Sequence, residues 1–111
     1  VSLDQSSDRK WKKDIVNSDL GLSFINKLNP VSYKLTDGTS GRTHYGFIAQ
    51  DVEQTLTDIG KTTKEFGGVT IDKENYFLRF SQFTAPLTKA VQELSAEVET
   101  LKAEIAALKS S

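Results

Sequence analysis

Leu87, Val91, Leu94, Val98, Leu101, Ile105 and Leu108 recur in alternating steps of four and three, the period of a heptad seam. No other feature restricts the fold as much. A helix this long with one apolar stripe cannot bury that stripe against itself, so the stripe must meet its own domain or another copy of the chain. The sustained period favours self-association as a coiled coil. With Val91, Val98 and Ile105 at a positions and the leucines at d, Glu97 and Glu104 fall at g while Lys102 and Lys109 fall at e. Those signs suit g-to-e′ pairing between parallel neighbours, and β-branched a with leucine d points by rule to two strands.

The rest of the chain is read against that helix. With 111 residues, 37% of them hydrophobic, one small domain with a modest core is expected. The sequence contains no methionine, so it reads as part of a longer polypeptide. Without cysteine there are no disulfides or thiolate metal sites, and the single His44 makes a histidine-based metal centre improbable. No metal and no cofactor is expected. A formal net charge of -1 supplies no field for nucleic acid or anionic lipid, and no apolar run approaches the roughly 18 residues of a membrane span. Neither a nucleic-acid nor a membrane partner is expected.

Along the chain, residues 1–6 (VSLDQS) are small, polar and aperiodic, a connector from whatever precedes the domain. Residues 7–80 read as a mixed α/β unit. Ser18 or Asp19 is positioned to cap a short helix carrying Leu22, Ile25 and Leu28, which Asn29-Pro30 ends. Val31, Tyr33 and Leu35 alternate as a half-buried strand, the turn-forming stretch Asp37 to Gly41 follows, and Tyr45 to Ala49 forms a second strand. Ile48, Val52, Leu56 and Ile59 then recur at helical spacing until Gly60. Gly67-Gly68 opens a last strand pair, Val69 to Asp72 and Tyr76 to Phe80, and residues 81–111 form the C-terminal helix and coiled coil. The expected class is α+β: short antiparallel strands and helices, then a long helix.

One further segment stands out. Ser7-Asp8-Arg9-Lys10-Trp11-Lys12-Lys13-Asp14-Ile15 resembles the opening motif of the C-terminal intramolecular chaperone domains of phage endosialidases, tailspikes, tail fibres and neck appendages. Three more stretches agree in order. Asn29-Pro30-Val31-Ser32-Tyr33 resembles the family's Pro-Val-x-Tyr strand, the run from His44 to Glu53 its Gly-x-Ile-Ala-Gln-Glu/Asp-Val core, and Ala90-Val91-Gln92-Glu93-Leu94 its Ala-Ile-Gln-Glu-Leu helix. The resemblance implies a homotrimer rather than the two strands of the heptad rule, and the whole-domain match carries more weight than a short seam. It also implies that the domain helps the preceding segment of its own parent to trimerise and then cleaves the bond before the motif serine, here Ser6-Ser7. Assembly would then take place in the host cell cytoplasm, with release from the mature fibre after cleavage. Domains of this kind also occur in membrane-bound transcription factors of the myelin regulatory factor type, a second possible parent.

A serine hydroxyl becomes a useful nucleophile when a base takes its proton, and a neutral lysine amine can be that base. The pattern nominates Ser7 as nucleophile and Lys12 as base. A free lysine titrates near about 10.4 and is charged at neutral pH, so this chemistry needs desolvation or nearby like charge. Arg9, Lys10 and Lys13 offer the charge and Trp11 an apolar cover. Asp8 and Arg9 are auxiliary candidates, Asp8 either orienting Lys12 or Arg9 or serving as a cap or in a surface ion pair, and Ser6 is a rival nucleophile. Residues five apart are not neighbours on a helix and lie about 17 Å apart on opposite faces of a strand. Ser7 and Lys12 therefore meet only across a bend or a subunit boundary, which would tie cutting to assembly. His44 reads as structural, and Gln50 either faces the site or satisfies backbone groups. The competing reading of the whole chain is a trimerisation or interaction module that does not cut.

Overall fold

The computed structural model describes residues 7–38 and 40–110. The elements are helix α1 (Leu22–Lys27), strands β1 (Val31–Tyr33) and β2 (His44–Gly46), helix α2 (Ala49–Asp58), strands β3 (Val69–Asp72) and β4 (Asn75–Leu78), and helix α3 (Thr84–Lys109). Short 3₁₀ turns lie at Arg9–Trp11, Thr63–Glu65 and Phe80–Phe83.

Both strand pairs are antiparallel. In the first, Val31 faces Gly46 and Tyr33 faces His44; in the second, Val69 faces Leu78 and Asp72 faces Asn75. The second hairpin turns at Lys73-Glu74, where Lys73 takes the left-handed conformation with φ 59°. The first is shorter than the alternation predicts: Leu35 lies beyond β1 and is exposed, because the chain turns at Thr36-Asp37.

Strand β2 ends at Gly46, short of the expected Ala49, which instead begins helix α2. Ile48 occupies its N-cap, and Gly60, at φ 80°, follows its end. Val52 and Leu56 are almost fully buried, as is Phe24 of α1. Around them sit Leu20, Phe66, Val69 and Phe83, completing one core. Aromatic rings dominate it: Phe66 meets Phe83 edge-on at 5.2 Å and Phe24 at 5.5 Å, while Phe47 stacks on Phe83 at 5.3 Å. Such pairs add roughly 0.5–1.5 kcal/mol each beyond their buried area. Among the described residues the one buried polar side chain, Thr55, donates to the Asp51 carbonyl at 3.1 Å.

Helix α3 has 26 residues, about 39 Å at 1.5 Å per residue. Only its start belongs to the core: Pro86 and Ala90 are buried and α1 packs there. Pro86 stands in the first turn, where its missing N–H costs no helical bond. From Leu94 to Lys109 every residue is exposed, so the second half projects from the domain. The seam lies roughly a quarter turn round the helix from the core contact. Leu87, Val91, Leu94, Val98, Leu101 and Ile105 stay 46–58% exposed; the domain buries Pro86 and Ala90 instead. No helix among the described residues is long and apolar enough to cross a membrane.

Candidate functional site

Ser7 opens the described chain, and the two residues after it build a turn. Asp8 is extended (φ -66°, ψ 139°) and its Oδ1 accepts the Lys10 amide at 3.0 Å, an N-cap at the head of a three-residue 3₁₀ turn. The Trp11 amide donates to the Asp8 carbonyl at 3.1 Å and the Lys12 amide to the Arg9 carbonyl at 3.0 Å. Lys12 leaves the turn in an extended conformation. Its side chain runs back along the turn, and its Nζ donates to Ser7 Oγ at 2.5 Å. Of the two ways for residues five apart to meet, a single chain thus uses the bend. The carbonyl that Ser7 would attack belongs to Ser6, which lies outside the described residues, as does the rest of the 1–6 connector.

Of the parts considered for the neighbours, the structure shows the cap at Asp8 and no cover at Trp11. The Asp8 carboxylate caps the turn, and Arg9 is exposed. Trp11 does not cover Lys12: it is 72% exposed, and Lys10 Nζ lies over its ring at 5.5 Å, a cation–π contact. Asp14 follows with φ 54°, a left-handed conformation that Asp tolerates better than most residues, and it redirects the chain. His44 stacks on Tyr33 at 5.6 Å within the first hairpin, and Gln50 lines a groove beside Tyr33 and Phe77, away from Ser7. Among the described residues no group of three or more His, Cys, Asp or Glu could hold a metal ion.

Ser7 and Lys12 lie in an open groove of about 820 Å³ whose other wall is the start of α3; Asn17, Ser18, Gln82, Lys89 and Gln92 contribute to it. Two α3 side chains fasten the segment that leads from the turn to α1. Lys89 Nζ donates to the Ser18 carbonyl at 2.5 Å, and Glu93 Oε1 accepts the Leu22 amide at 3.1 Å. Glu93 thereby caps α1, in place of the predicted Ser18 or Asp19. Gly21 is the N-cap residue; Ser18 Oγ donates instead to the Leu20 carbonyl at 2.8 Å, and Asp19 pairs with Lys61 at 2.5 Å. That pairing holds the Asp19 carboxyl below the usual carboxylate range, chiefly through the Lys61 hydrogen bond, and raises Lys61 for the same reason. Sequence reasoning singled out neither Lys89 nor Glu93. The signal at hand was the Ala90 to Leu94 stretch, in which Ala90 is buried, Glu93 caps α1 and Gln92 faces the groove.

Chemically, a serine oxygen and a lysine nitrogen at this separation sit at the short end of the range over which a proton can be passed directly. The model of the family Peptidase_S74, chaperone of endosialidase, matches residues 7–61, beginning at Ser7 itself. A comparison with curated proteins returns no match. Among solved structures, that of a novel intramolecular chaperon aligns with a TM-score of 0.58 at 22% identity, over 87% of this chain and 99% of that one. At that identity the likeness is one of fold.

Proposed function

Because the model of the chaperone-of-endosialidase family matches residues 7–61 of this chain, we propose that the chain is an intramolecular chaperone that frees itself by autoproteolysis. It assembles as a homotrimer through α3 and supports trimeric folding of the segment that precedes it in its own parent, a phage fibre or spike protein. It then cuts the Ser6-Ser7 bond. The work takes place in the host cell cytoplasm during virion assembly, and the cut releases the domain from the mature fibre.

The observation that carries this reading is the 2.5 Å contact between Lys12 Nζ and Ser7 Oγ, built by a capped turn rather than by chance exposure. As a neutral amine, Lys12 accepts the Ser7 hydroxyl proton while Oγ bonds to the Ser6 carbonyl carbon. The C–N bond between Ser6 and Ser7 then breaks, and the Ser7 nitrogen takes the proton back from Lys12. This N-to-O shift leaves Ser6 as an ester on Ser7 Oγ. Water adds to that ester, yielding a Ser6 carboxylate and restoring the Ser7 hydroxyl. Because the nucleophile begins the released fragment, each chain reacts once. The projecting seam supports the assembly step: six apolar side chains half-exposed in register are the surface a parallel trimer would close over.

The test is to express the full chain behind a reporter fused before Val1, as wild type, Ser7→Ala and Lys12→Ala, and to compare fragments on a denaturing gel. Cleavage is expected in the wild type alone. Cutting in all three would eliminate the dyad, and an intact wild type would leave a trimerisation module that does not cut.

A further inference from the structure

The dyad turn has almost no hold on the rest of the molecule. Trp11, Ile15 and Val16 are 72%, 55% and 85% exposed, and the first buried side chain after Ser7 is Leu20. Hydrophobic packing therefore does not decide where Ser7 and Lys12 sit. Two charged side chains of α3 reach the segment that follows the dyad, 71 residues away in sequence: Lys89 at the Ser18 carbonyl and Glu93 at the Leu22 amide. Both are half-buried, whereas the charged residues farther along α3, such as Glu97 and Lys102, are exposed. Each bond is charge-assisted, the stronger kind, and each satisfies a backbone group that a short irregular segment otherwise leaves to solvent.

We propose that Lys89 and Glu93 are positioning residues for self-cleavage: they moor the dyad segment to α3, so the placement of Ser7 and Lys12 follows the placement of that helix. This deepens the reading of Ser7 and Lys12 above and rests on it. The same three turns of α3 carry the core contact at Pro86 and Ala90, the seam at Leu87, Val91 and Leu94, and the moorings at Lys89 and Glu93. Docking of the seam on a neighbour fixes this stretch, and through the two bonds it fixes the segment that holds the dyad. A mooring that sets position alone matters to a rate because displacement of about 1 Å can cost on the order of a hundredfold.

The experiment measures the cleavage rate of the reporter-fused full chain for wild type, Lys89→Met, Lys89→Arg, Glu93→Ala, Glu93→Gln and Gly21→Ala, with trimer mass and melting temperature recorded for each. Gly21→Ala reaches the same bond from the other side, since its added Cβ would meet the Glu93 carboxylate. Val69→Ala serves as a control that loosens the core away from the groove. Lys89→Met, Glu93→Ala and Gly21→Ala are expected to cleave about 10- to 100-fold more slowly while still forming trimers. Lys89→Arg and Glu93→Gln, which keep a donor and an acceptor, are expected to recover most of the rate. Cleavage at the wild-type rate in the first three, or slowing no greater than in a Val69→Ala chain of equal melting temperature, would overturn the mooring. Should Lys89→Met or Glu93→Ala fail to fold, the conservative pair and Gly21→Ala decide alone. Ser7→Ala run alongside separates the two claims: if it also cuts, the dyad reading fails first.

Discussion

Replacing Leu101 by alanine removes a seam leucine from the projecting half of α3, where the side chain serves no contact of its own domain. Leu101 is 55% exposed in one chain. Burying a whole leucine is worth about 1.5–3 kcal/mol, so closing over the exposed half contributes about 1 kcal/mol per chain. Three copies meet in one layer of a trimer, giving about 3 kcal/mol, and the cavity left by truncation adds to the loss. At 1.4 kcal/mol per factor of ten, assembly weakens by roughly a hundredfold or more. Helicity of the isolated strand does not suffer, because alanine is the best helix former. Sedimentation equilibrium over a concentration series reads the shift, with Thr100→Ala as a control one position off the seam. Equal association of Leu101→Ala, Thr100→Ala and wild type would refute the claim that this stripe joins the chains.

Asp8→Ala removes the acceptor for the Lys10 amide, a cap worth about 0.5–2 kcal/mol; the cleavage rate should fall, and Asp8→Ser, which can cap in the same way, should restore most of it. Gly68→Ala would drive a Cβ into the Phe66 ring, and overpacking of this kind costs about 1–3 kcal/mol, visible as a lower melting temperature with an intact dyad. Asp19→Asn should lower the melting temperature near neutral pH by severing the bond to Lys61. Because the Asp19 carboxyl is depressed and Lys61 raised, the stabilisation is complete between the unfolded values of about 3.9 and about 10.4. It is lost as pH falls through the lowered carboxyl value or rises through the raised amine value, so the gap between variant and wild type should close at both extremes and narrow in high salt.

What was legible in the sequence was what repeats locally. The seam of α3 depends only on helical period, so it could be read without knowing the fold, as could Val52 and Leu56 on the buried side of α2. Strand β3 lies where its alternation and the preceding glycines put it. The misses have a common cause. A three-residue 3₁₀ turn has no period, so nothing in Arg9–Trp11 announced the geometry that joins Ser7 to Lys12. Ser18 and Asp19 have the side chains that usually cap helices, yet both are committed elsewhere and a carboxylate from α3 caps α1. A contact spanning 71 residues leaves no local mark. An indole beside a lysine suggests a cover, yet the turn points Trp11 outward under Lys10.

The most direct measurement traps the reaction's intermediate. Wild-type chain fused before Val1 and treated with alkaline hydroxylamine should give, by mass spectrometry, an upstream fragment ending in a Ser6 hydroxamate and a downstream fragment beginning with free Ser7. Lys12→Ala should give neither. Persistent absence of the Ser6 hydroxamate, or fragments that begin at another residue, would contradict the central claim.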